Sequence, residues 1–211
     1  LVLTGAGEKF FSAGADLNQF ASGDADVARA VGEAFGEAFE TLADFRGVSI
    51  AAINGFAMGG GLEVALACDI RIAEEQASLA LPEARVGLLP CAGGTQRLPR
   101  LIGPARAKDL VFSGRFVGAD EALAIGLVDR VCAPDDVHSE ALTWAKALAK
   151  GPRIAIQAAK AAIDAGLDVD LDTGLQIERV QFAALFATDD QRIGMESFLE
   201  NGPGKAEFTG R

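Results

Sequence analysis

The spacing of apolar positions changes repeatedly along the first 131 residues, and each change predicts a new element. Short apolar runs typical of strands occupy residues 1–3, 48–53, 78–81 and 127–131, and residues 69–73 alternate polar with apolar. Helical spacing or composition marks residues 27–45, 62–68, 95–101, 105–112 and 119–125. Short strands and helices in alternation predict an α/β layered core.

The chain becomes helical in composition from Ser139 onward. Ser139 can cap a helix that stops at Gly151-Pro152, and further helices are predicted over 153–165, 171–187 and 190–200. We therefore expect two regions, an α/β core over 1–138 and a helical region over 139–211.

Composition narrows the classes of function. A net charge of −11 and a pI of about 4.6 disfavour binding to nucleic acid or to an anionic membrane. No apolar run reaches the ~18 residues that a bilayer span needs. Three widely spaced cysteines (Cys68, Cys91 and Cys132) make a disulfide framework improbable, and His138 is the one histidine. We expect a cytoplasmic protein with no metal site, and His138 on its surface.

The most informative segment is NGFAMGGGLE, residues 54–63. It follows an apolar strand, and its glycines open a helix that is apolar on all sides, a pattern typical of a buried helix. Glu63 then places a carboxyl group in the first turn of that buried helix, beside N–H groups that have no intrahelical acceptor. This combination predicts acid–base chemistry next to a pocket that stabilises an anion.

A second turn and a second carboxylate extend the pattern. Small side chains at 13–15 and 59–61 would let a ligand approach two backbone N–H groups, as an oxyanion hole requires. Glu83 lies in an apolar stretch after Pro82. Plainer explanations stay open from the residues alone: glycines that merely permit tight turns, Glu63 as a partner of the helix dipole, and Glu83 paired with Arg85 or another base.

Several ordered motifs together resemble the crotonase superfamily, most closely its enoyl-CoA hydratases. They are FSAGADL (11–17), ING (53–55), GGGLE (59–63), CDI (68–70), LPE (81–83), AGGTQRL (92–98), AIGLV (124–128) and GMESF (194–198). The resemblance runs through nearly the whole chain. It implies a spiral ββα core over 1–138 and a C-terminal helical trimerisation region over 139–211.

The resemblance also assigns site residues. Ala15 and Gly60 would supply the two N–H groups that hold a thioester oxygen, and Glu63 and Glu83 would be the catalytic carboxylates. Residues Ala13, Ala15, Asp16, Leu17, Asn18, Gly60 and Cys91 would bind substrate or its coenzyme A part. Family members with other reactions usually lack one or both glutamates, so the presence of both favours hydration.

The implied activity is reversible syn hydration of a trans-2-enoyl-CoA, of the kind used in fatty-acid β-oxidation. No cofactor is expected beyond the coenzyme A carried by the substrate, and the partner is a further copy of the chain, as a homotrimer or hexamer. Two alternatives stay open: an enoyl-CoA isomerase or other acyl-CoA lyase of the same fold, and a truncated, weakly active assembly subunit.

Two positions depart from the family pattern. Cys91 stands where close hydratases usually have glycine, and we expect a small buried residue there, although it could crowd the pocket or react with electrophiles. Asn201 stands where relatives often have a basic residue for the phosphates of coenzyme A, and Lys205 is a candidate substitute.

The family also has a strand–strand–helix portion ahead of the position that Leu1 occupies here, so we expect the N-terminal part of the usual fold to be absent and the core over 1–138 to be incomplete at its N-terminus. That portion contributes to the adenine end of the coenzyme A site, so we expect the 211-residue chain to bind acyl-CoA weakly. Isothermal calorimetry with an acyl-CoA measures this directly, and tight binding would contradict the expectation.

Overall fold

The computed structural model describes residues 1–20 and 23–211, and part of the predicted polar loop at 21–26 lies outside this range. The described chain forms two compact units, one of residues 1–45 with 49–142 and one of residues 46–48 with 143–211. The assignment of catalysis to the first region and of trimerisation to the second stays a prediction. Within the described residues, no helix is long and apolar enough to cross a bilayer.

Four parallel strands form the first sheet of the larger unit. They are ordered β1 (Val2–Thr4), β3 (Ile50–Ile53), β5 (Ile70–Glu74) and β8 (Arg130–Cys132). The central strand β3 is buried along its whole length, as its continuous apolar sequence predicts for a strand covered on both faces. β5 is also almost wholly buried, although its alternating sequence is typical of a strand with one exposed face.

A second sheet contains the strand predicted over 78–81, together with strands that the sequence pattern did not predict. Its order is β2 (Phe10–Ser12), β4 (Phe56–Met58), β6 (Ser78–Ala80) and β7 (Val117–Gly118). The pairings are parallel except for the antiparallel pair β6–β7, so the fold has a mixed sheet. β2 ends directly before the small-residue turn at 13–15, and β4 ends directly before the glycines at 59–61. Strands of two or three residues are too short to show a period of two.

Six helices accompany these sheets in the described residues. They are α1 (Ala25–Ala43), α2 (Gly60–Leu66), α3 (Gly94–Ile102), α4 (Pro104–Ser113), α5 (Ala119–Ala124) and α6 (Val137–Ala149). Each agrees with a predicted helix to within a few residues. Ser139 does not cap α6, because the helix begins two residues earlier and the Ser139 hydroxyl donates to Asp136 O at 2.9 Å. His138 is exposed, as predicted.

The seven-residue helix α2 lies in the core, with Leu62, Glu63, Ala65 and Leu66 buried. Arg71 of β5, only 5% exposed, supports the end of this helix. Its Nη1 donates to Cys68 O at 2.8 Å and to Ala65 O at 3.4 Å. A guanidinium at a helix C-terminus satisfies carbonyls that have no intrahelical donor. The buried guanidinium therefore holds the C-terminal end of α2 in place.

The start of α2 packs directly on β2 and the turn after it. A Cβ on Gly61 would overlap the backbone of Ser12, and a Cβ on Gly14, whose φ is 87°, would lie 2.8 Å from Met58 O. Neither position can hold a side chain without moving the main chain. This contact joins the two small-residue turns that the sequence singled out.

The smaller unit contains the end of α6 and three further helices of the described chain: α7 (Arg153–Leu167), α8 (Leu171–Leu185) and α9 (Asp189–Asn201). All three agree with the predicted ranges. Asp170 caps α8 by accepting from Thr173 N at 3.0 Å, and Thr188 caps α9 by accepting from Gln191 N at 3.2 Å.

Apolar side chains stay exposed on α8 and α9. Phe182 and Phe186 are in ring contact and are 63% and 59% exposed, and Leu199 is 76% exposed. The exposed apolar area on these helices is larger than single, scattered apolar residues would produce. It agrees with burial in an oligomer, and the trimer or hexamer stays a prediction.

Replacing Gly61 with alanine tests the contact between α2 and β2. We expect Gly61→Ala to destabilise the fold by about 1–3 kcal/mol, because the added methyl group overlaps the Ser12 backbone. Gly36→Ala is the matched control, since Gly36 lies within α1 with no atom near its Cβ position. That variant should gain about 0.5–1 kcal/mol. Urea unfolding measures both, and equal stability of the two variants would contradict the packing.

Candidate active site

A cavity of about 570 Å³ in the larger unit is bordered by both small-residue turns and both glutamates. Ala13, Gly14 and Ala15 line it from the turn after β2. Gly59 and Gly60 line it from the start of α2, and Glu63 and Glu83 complete its polar part. Segments far apart in sequence therefore meet at one surface, as the motif analysis predicted.

Glu63 is held by the start of a neighbouring helix. It lies in the first turn of α2 and is 2% exposed, and its Oε1 accepts from Ala92 N and Gly94 N, both at 2.8 Å. Gly94 is the first residue of α3, where N–H groups have no intrahelical acceptor. Its lack of a side chain matters, because a Cβ there would lie 3.0 Å from Glu63 Oε1. One carboxylate oxygen is thus anchored by two main-chain donors.

Glu83 enters the cavity from a different direction. It opens a single 3₁₀ turn (Glu83–Val86) directly after Pro82 and is half-buried. Among the described residues, its Oε2 is buried and has no hydrogen-bond partner. Arg85 is not its partner, since that guanidinium lies 5.6 Å from the Phe116 ring and Nε donates to Ser113 O at 3.5 Å.

The pKa values of both carboxyl groups are raised, which favours the protonated form of each. Burial raises the pKa of Glu63, and the N–H groups of Gly94 and Ala92 and the charge of Arg97 act in the opposite direction. Burial also raises the pKa of Glu83, its own backbone N–H acts in the opposite direction, and the nearby charge of Glu63 raises the pKa further. Glu63 thus has donors that favour its charged form, whereas Glu83 has a buried oxygen without one.

The two turns bring backbone N–H groups together. Ala15 N lies 3.8 Å from the place a Cβ on Gly60 would take, and Gly14 Cα lies 3.6 Å from it. Gly60 is the first residue of α2, so its N–H has no acceptor within the helix. Gly59 adopts a φ of 56°, and a Cβ on it would lie 3.1 Å from Glu83 Oε1. Glycine is therefore required where the backbone passes Glu83.

The predicted substrate-binding residues divide into two groups. Ala13, Ala15, Leu17, Gly60 and Cys91 line the cavity. Asp16 and Asn18 do not, and their side chains bond to each other, with Asn18 Nδ2 donating to Asp16 Oδ1 at 2.8 Å. The binding role of both groups stays a prediction.

Other residues of the cavity wall belong to none of the sequence motifs. They are apolar and come from three segments: Phe20, Phe35, Val86, Leu88 and Leu89. Phe35 could have been found from the apolar face of the helix predicted over 27–45. The others lie in single 3₁₀ turns or in the loop after one, segments too short to show a periodicity.

Cys91 is exposed at the cavity wall, so the expectation of a small buried residue is wrong. It lies on the loop that leads into α3, and that loop turns the residue towards the cavity instead of the core. Partial burial raises the pKa of its thiol, and the charges of Glu63 and Glu83 raise it further. The thiol is therefore held protonated, and a protonated thiol is a poor nucleophile.

Comparison with known proteins agrees with this geometry. The family model for enoyl-CoA hydratase/isomerase matches residues 1–211. A crotonyl-CoA hydratase of Syntrophomonas wolfei is 41% identical over 211 residues, which are 100% of this chain and 80% of that protein.

Solved structures show the same relationship. The enoyl-CoA hydratase from Bacillus anthracis is 43% identical with a TM-score of 0.94, covering 100% of this chain and 81% of that one. DspI of Pseudomonas aeruginosa is 53% identical with a TM-score of 0.94, covering 100% and 79%. The α/β crotonase-like fold is confirmed, whereas the absence of its N-terminal part stays a prediction. The chain belongs to the enoyl-CoA hydratase/isomerase family, and the prediction that it is an enzyme of the hydratase type is confirmed.

Proposed function

We propose that the chain catalyses the reversible syn addition of water to a trans-2-enoyl-CoA. The observation that carries the proposal is the presence of Glu63 and Glu83 in one cavity with the backbone of Ala15 and Gly60. Relatives named crotonyl-CoA hydratase and short-chain-enoyl-CoA hydratase support the same reaction.

The two turns would stabilise the charge that develops on the thioester oxygen. Water adds to C3 of the enoyl group, and electron density moves to that oxygen, giving an enolate-like species. N–H groups of Ala15 and Gly60 would donate to it, and each such donor is typically worth about 3–4 kcal/mol in the transition state. The N-terminal end of α2 adds a positive field at the same place.

The environments of the two carboxyls support different roles. Glu63 has Oε1 fixed by two N–H donors, which favours its charged form and leaves Oε2 to accept a proton from water. The pKa of both carboxyls is raised, but Glu83 alone has a buried oxygen without a partner among the described residues, so it would hold the proton that C2 receives. The hydroxyl goes to C3, one proton goes to Glu63, and one leaves Glu83. Proton exchange between the carboxyls or with solvent restores the starting state.

The apolar walls suit the rest of the substrate. Phe20, Phe35, Leu88 and Leu89 line the cavity beside the carboxyls and would bury an acyl chain. The exposed apolar surface on α8 and α9 supports assembly into a trimer or hexamer. Localisation in the cytoplasm stays part of the same proposal.

Removing either carboxyl tests the assignment. We expect Glu63→Gln and Glu83→Gln each to lower kcat for crotonyl-CoA by roughly 10²–10⁴-fold, because each removes one proton-transfer step. Glu40→Gln, an exposed position on α1, is the control and should keep the parental rate. Loss of the conjugated thioester absorbance measures turnover. Parental activity in either cavity variant would refute the roles, and turnover of only 3-enoyl thioesters would indicate isomerisation.

The pH profile of kcat/KM gives a separate test. Activity requires Glu63 without its proton and Glu83 with it, so the rate should rise as Glu63 deprotonates and fall as Glu83 does. Because both pKa values are raised, both limbs should lie above the ordinary value of about 4.3 for glutamic acid. In Glu83→Gln, the residual rate should lose its falling limb. A falling limb that survives this substitution belongs to another group and contradicts the assignment.

A further inference from the structure

Arg97 contacts the loop whose N–H groups bind the Glu63 carboxylate. It is the fourth residue of α3, it is half-buried, and its Nη1 donates to Ala92 O at 3.1 Å. A Cβ on Gly93, whose φ is 111°, would overlap this guanidinium, so the loop and the side chain are in direct contact. Arg97 is not among the residues that line the cavity.

The carbonyl that Arg97 holds occupies a particular place in the loop. The N–H groups of Ala92 and Gly94 belong to the peptide units before and after the one that carries Ala92 O. Both donate to Glu63 Oε1 at 2.8 Å. Fixing the middle peptide therefore fixes the direction of both donors, and with them the orientation of the carboxylate.

We infer that Arg97 is a positioning residue, whose guanidinium holds the peptide between Ala92 and Gly93 so that Glu63 stays directed at the water. What Glu63 then does rests on the proposed hydration, but the positioning is a property of the loop itself. Small displacements of a proton-transferring group are costly, and an error of about 1 Å can reduce a rate by 10²-fold.

Arg97 also acts on the pKa of Glu63 through its charge, which a purely structural side chain would not do. Burial raises the pKa of Glu63, and the N–H donors and Arg97 lower it. The other titratable or charged groups at this site are Glu83 and Cys91 on the cavity wall and Arg85, which is directed towards Phe116. Loss of the Arg97 charge should therefore raise the pKa of Glu63.

The test compares Arg97→Gln with Arg100→Gln. Arg100 is the matched control, because it carries the same charge on the same helix but is exposed and, among the described residues, hydrogen-bonds Gln96 alone. We expect Arg97→Gln to lower kcat for crotonyl-CoA by roughly 10- to 100-fold with little change in KM. Its rising limb in the pH profile should move to higher pH. Arg100→Gln should resemble the parent in both. Arg97→Gln with parental kcat and an unmoved limb would overturn the inference.

Two additions keep the outcome decisive. Arg97→Lys retains the charge and loses the reach of the guanidinium, so kcat should fall while the rising limb stays in place. If Arg97→Gln does not fold, a parental kcat in Arg97→Lys refutes the positioning. Titration of ¹³C-labelled glutamate by NMR, with Glu63→Gln for assignment, reads the Glu63 carboxyl without turnover. A shift in Arg97→Gln but not Arg100→Gln supports the inference even in a chain that hydrates no enoyl thioester, and equal titration in both variants refutes it.

Discussion

The close approach of two backbone turns is the constraint on which the site depends. The turn at 13–15 follows β2, and the glycines at 59–61 open α2. At Gly14 and Gly61 a single added carbon would meet main-chain atoms of the other segment. Only backbone can occupy this contact, so main-chain atoms of the two segments lie against each other beside the cavity. Arg71 holds the far end of α2, which keeps the helix start in place.

Burial of Glu63 follows from the same arrangement. A carboxylate that is 2% exposed would be strongly destabilised in its charged form without donors. The start of α3 supplies two, and Arg97 stabilises the loop from which they come. Glu83, by contrast, has a buried oxygen for which the described residues provide no donor. Two residues of one type thereby have different hydrogen-bond surroundings, although burial raises the pKa of both, and the proposed hydration needs one base and one acid.

The glycines and Glu63 could be predicted from the sequence because they lie close together along the chain. Glycines before a buried helix, with Glu63 in its first turn, are a pattern that needs no knowledge of the fold. The motifs placed Glu83 and Ala15 beside it through family resemblance. The roles of Arg71 and Arg97 could not be predicted in the same way. Arg71 lies in a strand whose alternating sequence gives no sign that its side chain is buried, and the contact between Glu63 and Gly94 joins residues 31 positions apart. Cys91 was misjudged for a similar reason, since the direction of its loop depends on packing between α2 and α3.

The decisive measurement is the structure of the chain bound to a 3-oxoacyl-CoA, a stable analogue without the double bond that is hydrated. The thioester oxygen should lie within hydrogen-bond distance of Ala15 N and Gly60 N. C2 should face Glu83, and C3 should face Glu63. A thioester bound elsewhere, or one whose oxygen contacts neither N–H group, would contradict the proposed roles.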